Sequence, residues 1–294
     1  RPSTTFWKDA IGRLMKNKVA VVCFFIIVLL ILSCIIVPFF SPFESREQHL
    51  GEVNKGFMTV CTDPRYEGQH HVHYFGTDNL GRDLFLRAFE GGRVSLMIAF
   101  AAVFVNLIVG LIYGGISGYI GGAVDTIMMR IVEIVNGIPY LIVVILLMMV
   151  LPKGIFTMVV AYGITGWTGM ARLVRGQVLQ LKSQEYIVAA EAMGAKSSRI
   201  IAKHLIPNAL SVIIINVTLA IPSAIFTEAS LSYLGMGIPV PLASWGTLAN
   251  DGANMLLLYP YQLFFPALLI SLTMLGFNLL GDGLRDALDP RLRR

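Results

Sequence analysis

The stretch 182–208, KSQEYIVAAEAMGAKSSRIIAKHLIPN, combines residue types at spacings that suit contact with another surface rather than bond making. Tyr186, Ala189, Ala190 and Met193 recur at i, i+3, i+4 and i+7, which is one face of a helix. Ser183 is placed to cap that helix, with Glu185 in the first turn facing the positive end of its dipole. Gly194 supplies a C-terminal stop, followed by Ala195. Ser197 or Ser198 can cap a second short helix, which Pro207 closes. Arg199 and Lys203 add two cations beside it. Two short helices joined at a glycine present a small apolar knob. Such a knob suits a groove on another protein or an interfacial position on lipid, and the spacing alone does not choose.

Other polar residues fall in apolar surroundings. Glu133 follows Arg130 by three residues and precedes Asn136 by three, and Tyr140 continues that face. The stripe reads either as the wall of a translocation path or as an Arg130–Glu133 pair with an interhelical hydrogen bond from Asn136. Glu228 closes an apolar run and is placed to cap or gate there. His70, His71 and His73 cluster elsewhere, but no cysteine or nearby carboxylate completes a ligand set with them. They read as a solvated loop, and no metal is expected. No nucleophile–base constellation lies on the apolar runs, so no catalytic residue is expected. Gly194-Ala195-Lys196-Ser197 imitates the end of a phosphate-binding loop, but Ala195 replaces the second glycine and no strand precedes it. The chain is therefore not expected to cradle ATP by that device, and no cofactor is expected.

The elements that position these residues must sit in a membrane. Residues of hydrophobic type make up 55% of the chain and charged ones 14%, against about 25% charged in a soluble domain. A bilayer core about 30 Å thick needs about 20 apolar residues of helix. Six runs approach or exceed that length: 19–40, 94–118, 131–151, 155–171, 208–227 and 255–281. An all-α polytopic fold with six transmembrane helices follows. The first run is longer than a signal-peptide core and has no small-residue cleavage site after it, so it reads as an uncleaved anchor.

Basic residues set the orientation. Sixteen of the 23 lysines and arginines fall in the amino-terminal segment, at Arg130, in the loop after the fourth run or in the tail. That side is read as cytoplasmic, with both termini on it. Residues 41–93 then lie outside. The net charge of +5 therefore reports topology rather than nucleic-acid binding. Cys61 has no extracytoplasmic partner cysteine. Gly110, Gly114, Gly118 and Gly122 recur at steps of four in the second run and suit close helix packing, within the chain or across a subunit interface.

The knob resembles the EAA loop of ABC-importer permeases, E-A-A-x3-G-x9-I-x-L-P. Ala189, Ala190, Gly194 and Pro207 match it. Val188, His204 and Ile206 replace its Glu, Ile and Leu. FGTDNLGRD at 75–83, LSYLGMG at 231–237, ASWG at 243–246 and GDGLRDALDPRL at 281–292 resemble the C-type subunit of peptide permeases in that family. The resemblance covers the chain from about Phe6 to its end and is weakest over 43–71.

That resemblance implies a type I importer permease in a cell or inner membrane. Residues 1–90 would be an anchor helix and outer loop, and 91–294 a five-helix core carrying the coupling loop at 182–208. It implies a homologous second permease subunit, two cytoplasmic ATPases that do the hydrolysis, and an external solute-binding protein that delivers oligopeptides. The coupling helix, with Tyr186, Ala189, Ala190, Met193, Gly194, Ala195, Arg199 and Lys203, would dock on an ATPase. Glu133, Asn136, Tyr140 and Glu228 would be candidates for the path. Three rivals remain: the same architecture carrying dipeptides, nickel chelate or glutathione; an ion-driven secondary transporter; and a non-transporting membrane scaffold.

Overall fold

Unpaired backbone groups are too costly in hydrocarbon, so an apolar chain satisfies them within helices. The computed structural model describes residues 6–64 and 71–288. It begins with the short amphipathic α1 (Phe6–Lys16). Asn17 caps α2 (Lys18–Phe40) by accepting a hydrogen bond from the Ala20 amide at 3.2 Å. A mostly irregular segment follows, pinned by a two-stranded antiparallel ladder, β1 (Thr59–Val60) and β2 (Val72–His73). Asp83 then caps α3 (Leu84–Ile120), which at 37 residues is about 55 Å long.

The chain returns through α4 (Gly122–Gly137) and α5 (Tyr140–Val150), then α6 (Ile155–Thr165) and α7 (Trp167–Lys182). The knob comprises α8 (Glu185–Ala192) and α9 (Ser197–Ile200). A π-helical turn, Ile201–Leu205, leads into α10 (Ile206–Leu231). Finally α11 (Trp245–Asn254) precedes α12 (Tyr261–Leu288).

Of the six expected spans, the described residues form four as single long apolar helices. Four helical stretches are long and apolar enough to cross a membrane: Lys18–Phe40, Leu84–Ile120, Ser197–Met236 and Tyr261–Leu288. A fifth counts if α4 and α5, bent by 78° at their junction, form one broken span. The bend has a local cause. Pro139 pushes Ile138 out of the helical region, to φ −83°, ψ 120°. The fourth run is also divided. Its first half, α6, has 11 residues, and the dividing Gly166 keeps helical angles, φ −71°, ψ −24°, with its amide bonded to the Tyr162 carbonyl at 2.8 Å. Gly166 separates it from α7, where polar residues return. The last run starts at Tyr261 rather than 255, because 245–254 form the separate α11.

The most extensive helix pairing is α3 against α7. The glycine row makes it, so this row packs within the chain. A Cβ on Gly114 would lie 2.3 Å from the Ala171 carbonyl oxygen, and one on Gly110 would lie 2.5 Å from the Met170 Cβ. Only hydrogen at these positions lets the two backbones approach so closely. Gly122, the last of the row, has nothing within 4 Å and serves instead in the turn between α3 and α4. A larger core joins α2, α3, α10, α11 and α12 around Trp245 and Ile225. The remaining apolar surface is turned outward, as lipid-facing helices require.

Replacing Gly114 by Ala must separate α3 from α7 and should cost about 1–3 kcal/mol, read as a lower thermal unfolding temperature in detergent. The matched Gly176→Ala change on α7 meets nothing within 4 Å and should be neutral or stabilising. Equal destabilisation by the two would show that the close approach is not limiting.

Candidate functional site

The knob is an exposed surface on a buried foot. In α8, Ile187 and Ala190 turn inward. Ile187, with Ile200 and Leu205, meets Val174, Val178, Met170 and Tyr119, so that α8 and the following turn sit on α7 and the end of α3. Burying these side chains contributes about 1.5–3 kcal/mol for each large aliphatic group. Turned outward are Tyr186, Val188, Ala189 and Met193, the last 82% exposed. Arg199 and Lys203 are exposed beside them, and Ala195 is half-buried against the foot. The structure therefore keeps the expected knob but exchanges one residue. Ala190 belongs to the foot, and Val188 takes its place on the face.

Gly194 makes the joint. Its φ of +77° is in the left-handed region. The Ala195 amide donates to the Ala190 carbonyl at 3.1 Å and the Gly194 amide to the Glu191 carbonyl at 2.9 Å. These two bonds form a Schellman stop. The helix starts differ from expectation. Gln184 occupies the N-cap of α8 without a side-chain bond, while Ser183 donates to the Gln180 carbonyl at the end of α7. Lys196, not a serine, stands at the N-cap of α9.

Pro207 does not close the second helix either. Ser197–Met236 is continuous, and the π-helical turn just before Pro207 widens the coil where the proline lacks an N–H. The knob is thus joined directly to a membrane-crossing helix. It is also tied to α3. Tyr119 donates its hydroxyl proton to Glu191 at 2.9 Å, and Lys182 donates to the Tyr119 carbonyl and lies 5.1 Å from its ring. Nearby, Arg175 on α7 clamps Asp125 on α4 with two hydrogen bonds of 2.5 Å.

The four candidates for a path do not share one wall. Glu133 is exposed and pairs with exposed Arg130 at 2.6 Å. Asn136 accepts a bond from Thr168 of α7 at 3.3 Å. Tyr140 faces the chain interior, with its ring 5.8 Å from that of Tyr162. Glu228 is 2% exposed. It lines a small cavity with Tyr140, Tyr162 and Ile98 that has room for about one water. Its carboxylate accepts from Ser95 of α3 and from Ser232, each at 2.8 Å.

The Ser95 hydroxyl also accepts the Trp245 amide at 3.1 Å, and the Trp245 indole donates to the Ala88 carbonyl at 2.8 Å. This network pins α3, α10 and α11 together. Sequence reasoning singled out Glu228 but not Ser95, which sits unmarked in an apolar run. The ASWG motif was the available signal for the rest: Ser244 and Thr247 form the capping box of α11.

The segment between α2 and α3 holds a second buried cluster, and here the expectation of a solvated histidine loop fails. His70 lies outside the described residues. The His71 ring packs 5.7 Å from Phe43. His73 is fully buried, and its Nδ1 and Nε2 lie 2.7 Å from Asp83 and 2.8 Å from Glu52. The cause is the ladder: Thr59 pairs with His73 and Val60 with Val72, which folds Cys61 back beside them. The Cys61 thiol donates to Glu52 at 3.2 Å, and the Thr62 amide and hydroxyl donate to the other oxygen of Glu52.

Burial pushes the Glu52 carboxyl up, but the Thr62 amide, His73, Cys61 and the Thr62 hydroxyl outweigh it and hold the group down at about 2. Burial lowers the pKa of His73, but Asp83 and Glu52 reverse this and raise it overall. The Cys61 thiol is pushed up to about 11, chiefly by burial. Within 75–83, Arg82 is bonded to Asp78 at 2.7 Å. Asp83, however, serves His73 and the start of α3 rather than Arg82.

Comparison with known proteins points one way. A family model described as the binding-protein-dependent transport system inner membrane component matches residues 106–294. A second, the N-terminal TM domain of oligopeptide transport permease C, matches residues 5–56. The chain is 52% identical to the oligopeptide transport system permease protein OppC of Bacillus subtilis, over all of this chain and 92% of the relative. It is 50% identical to the dipeptide transport system permease protein DppC of the same organism, over all of this chain and 88% of that one. Against OppC of Escherichia coli K12 identity is 45%, over 98% of this chain and 92% of the relative. An inward-facing structure of the MetNI methionine ABC transporter shares the fold, with a TM-score of 0.56 at 20% identity, over 69% of this chain and 96% of that chain.

Gly194→Val would force a β-branched side chain into left-handed backbone, at a cost of about 1–2 kcal/mol. Proteolytic cleavage within 182–208 of the membrane-inserted protein should accelerate, while Met193→Ala should leave it unchanged. Equal protection of the two variants would remove the joint's structural role.

Proposed function

Because the chain belongs to the family of binding-protein-dependent transport system inner membrane components, and is a multi-pass membrane protein, we propose that it is the membrane-spanning subunit of an ATP-driven importer for oligopeptides. Full-length identity to permeases named for oligopeptide transport supports the cargo. The observation that carries the mechanism is the knob: an exposed apolar tip on a foot shared with α3, α7 and α10. Hydrolysis belongs to separate ATPase subunits.

In this reading the termini and the knob face the cytoplasm. Tyr186, Val188, Ala189 and Met193 contact an ATPase, with Arg199 and Lys203 as flanking cations. When a pair of ATPases closes on nucleotide, the tip is carried with them. The foot transmits the displacement to α10, which is continuous with the knob, and to α7, on which it rests. A cavity between this chain and a homologous second permease subunit then opens outward to an external solute-binding protein. Hydrolysis returns it inward. This is alternating access, with nucleotide biasing one of two states.

Exposed Glu133, with Asn136 below it, faces that cavity, whereas Glu228 and Tyr140 stay within the subunit and hold its helices in register. Residues 1–90 add an anchor helix and outer segment to a core at 91–294. A dipeptide cargo is the second reading, favoured by the similar identity to a dipeptide permease.

Reconstituted with its partner subunits, the chain should accumulate a labelled hexapeptide only with ATP inside the vesicles, and dissipating ion gradients should leave uptake unchanged. Uptake that survives without ATP but collapses with the gradient would establish a secondary transporter instead. Competition by dipeptides but not by hexapeptides would establish the shorter cargo.

A further inference from the structure

The buried cluster of the outer segment has more chemistry than a brace requires. His73 meets a carboxylate at each ring nitrogen, at 2.7 and 2.8 Å. Carboxylates only accept, so both nitrogens carry protons and the ring is a cation. The His73 Nε2–H and the Cys61 S–H then aim at the same atom, Glu52 Oε2. One nitrogen, one sulfur and one oxygen donor therefore converge, all within 4.8 Å of one another. Their residues are 0%, 9% and 1% exposed.

We propose that Cys61, His73 and Glu52 form a binding site for a divalent transition-metal ion of the zinc class, which replaces the two protons now pointing at Glu52. Charge supports the exchange. With protons, the group of Glu52, Asp83, His73 and Cys61 carries two negative charges and one positive. With the metal it carries three negative charges and two positive. The net charge of −1 is the same, so the buried site takes up the ion without a new uncompensated charge. The bookkeeping of protons is complete: one leaves Nε2, one leaves Sγ, and nothing is oxidised or reduced.

The donor set is one that zinc accepts, and tetrahedral ligation by three protein groups leaves a fourth position for water. Donor pairs at 2.8 and 3.2 Å need to open by less than about 1 Å to reach the spacing of such a shell. The supporting groups already stand in place. Asp83 holds Nδ1–H, which directs Nε2 at the metal, and Thr62 holds the other oxygen of Glu52. The Phe43 ring stacks on His73 with centroids 4.5 Å apart and covers the site. Because Asp83 is also the N-cap of α3, the ion would fasten the outer segment to the head of a membrane-crossing helix.

The test uses the full-length chain in lipid nanodiscs, stripped with a chelator, with Cys23 and Cys34 replaced by alanine so that Cys61 is the only thiol. Titration with Co²⁺ should give a thiolate-to-cobalt charge-transfer band that saturates at one equivalent and is displaced by Zn²⁺. Zn²⁺ should also raise the thermal unfolding temperature, and a chelator should reverse this. Cys61→Ser, which keeps a hydroxyl donor toward Glu52, should weaken cobalt binding at least about 10-fold and abolish the band. Absence of the band in the Cys61-only protein, or its persistence after Cys61→Ser, would overturn the site and leave a hydrogen-bonded brace.

Discussion

The burial of Ile187, Ile200 and Leu205 against Val174 and Val178 is the constraint on which the rest depends. It makes the knob part of the helical body. A knob attached only by its two chain ends would swing when pushed, and a push on its tip would be lost in that swing. Here three large aliphatic side chains anchor it, each fully buried. The glycine row then joins α7, which carries the foot, to α3 at a backbone separation that no larger residue permits. In the proposed coupling, force from the Met193 tip would enter the membrane through this series of close contacts.

The two ends of the molecule use different physics. At the knob end, an ion pair, a hydrogen bond and a Lys–aromatic contact surround the apolar foot: Arg175 with Asp125, the Tyr119 hydroxyl with Glu191, Lys182 over Tyr119. At the opposite end, a buried polar cluster around His73 does the same work, and Tyr261 and Gln262 of α12 donate hydrogen bonds to the Thr77 carbonyl at 3.1 and 3.2 Å. Between them the interior depends on shape, with one buried carboxylate, Glu228, satisfied by two serines.

Much of this was legible in the residues, and the failures have physical causes. Gly194 announced its joint because few other residues tolerate a φ of +77°. The knob's outward face was read with one error, at Ala190. Both sides of α8 carry apolar residues, Ile187 beside Val188, so periodicity finds a face but not which face meets the foot. Six apolar runs were visible, but Pro139 bends one of them by 78°, and hydropathy does not register a bend. The motifs that carried the resemblance are mostly joints: Ser244 caps α11, Gly283 lies against Ala20, and Gly76 and Gly81 have positive φ. The His73 cluster stayed hidden because its members stand 9 to 31 positions apart, and only the β1–β2 pairing brings Glu52, Cys61, His73 and Asp83 together.

Contact at the tip is the most direct measure of the central claim. In a cysteine-free background, single cysteines at Met193, 82% exposed at the knob, and at Leu257, 97% exposed at the other end of the molecule, offer comparable access to a short cross-linker. In membranes holding the assembled transporter, Met193→Cys should cross-link to an ATPase subunit, with a yield that changes on adding nucleotide, and Leu257→Cys should not. A Met193→Cys protein that labels with solvent reagents but never joins an ATPase would contradict the account.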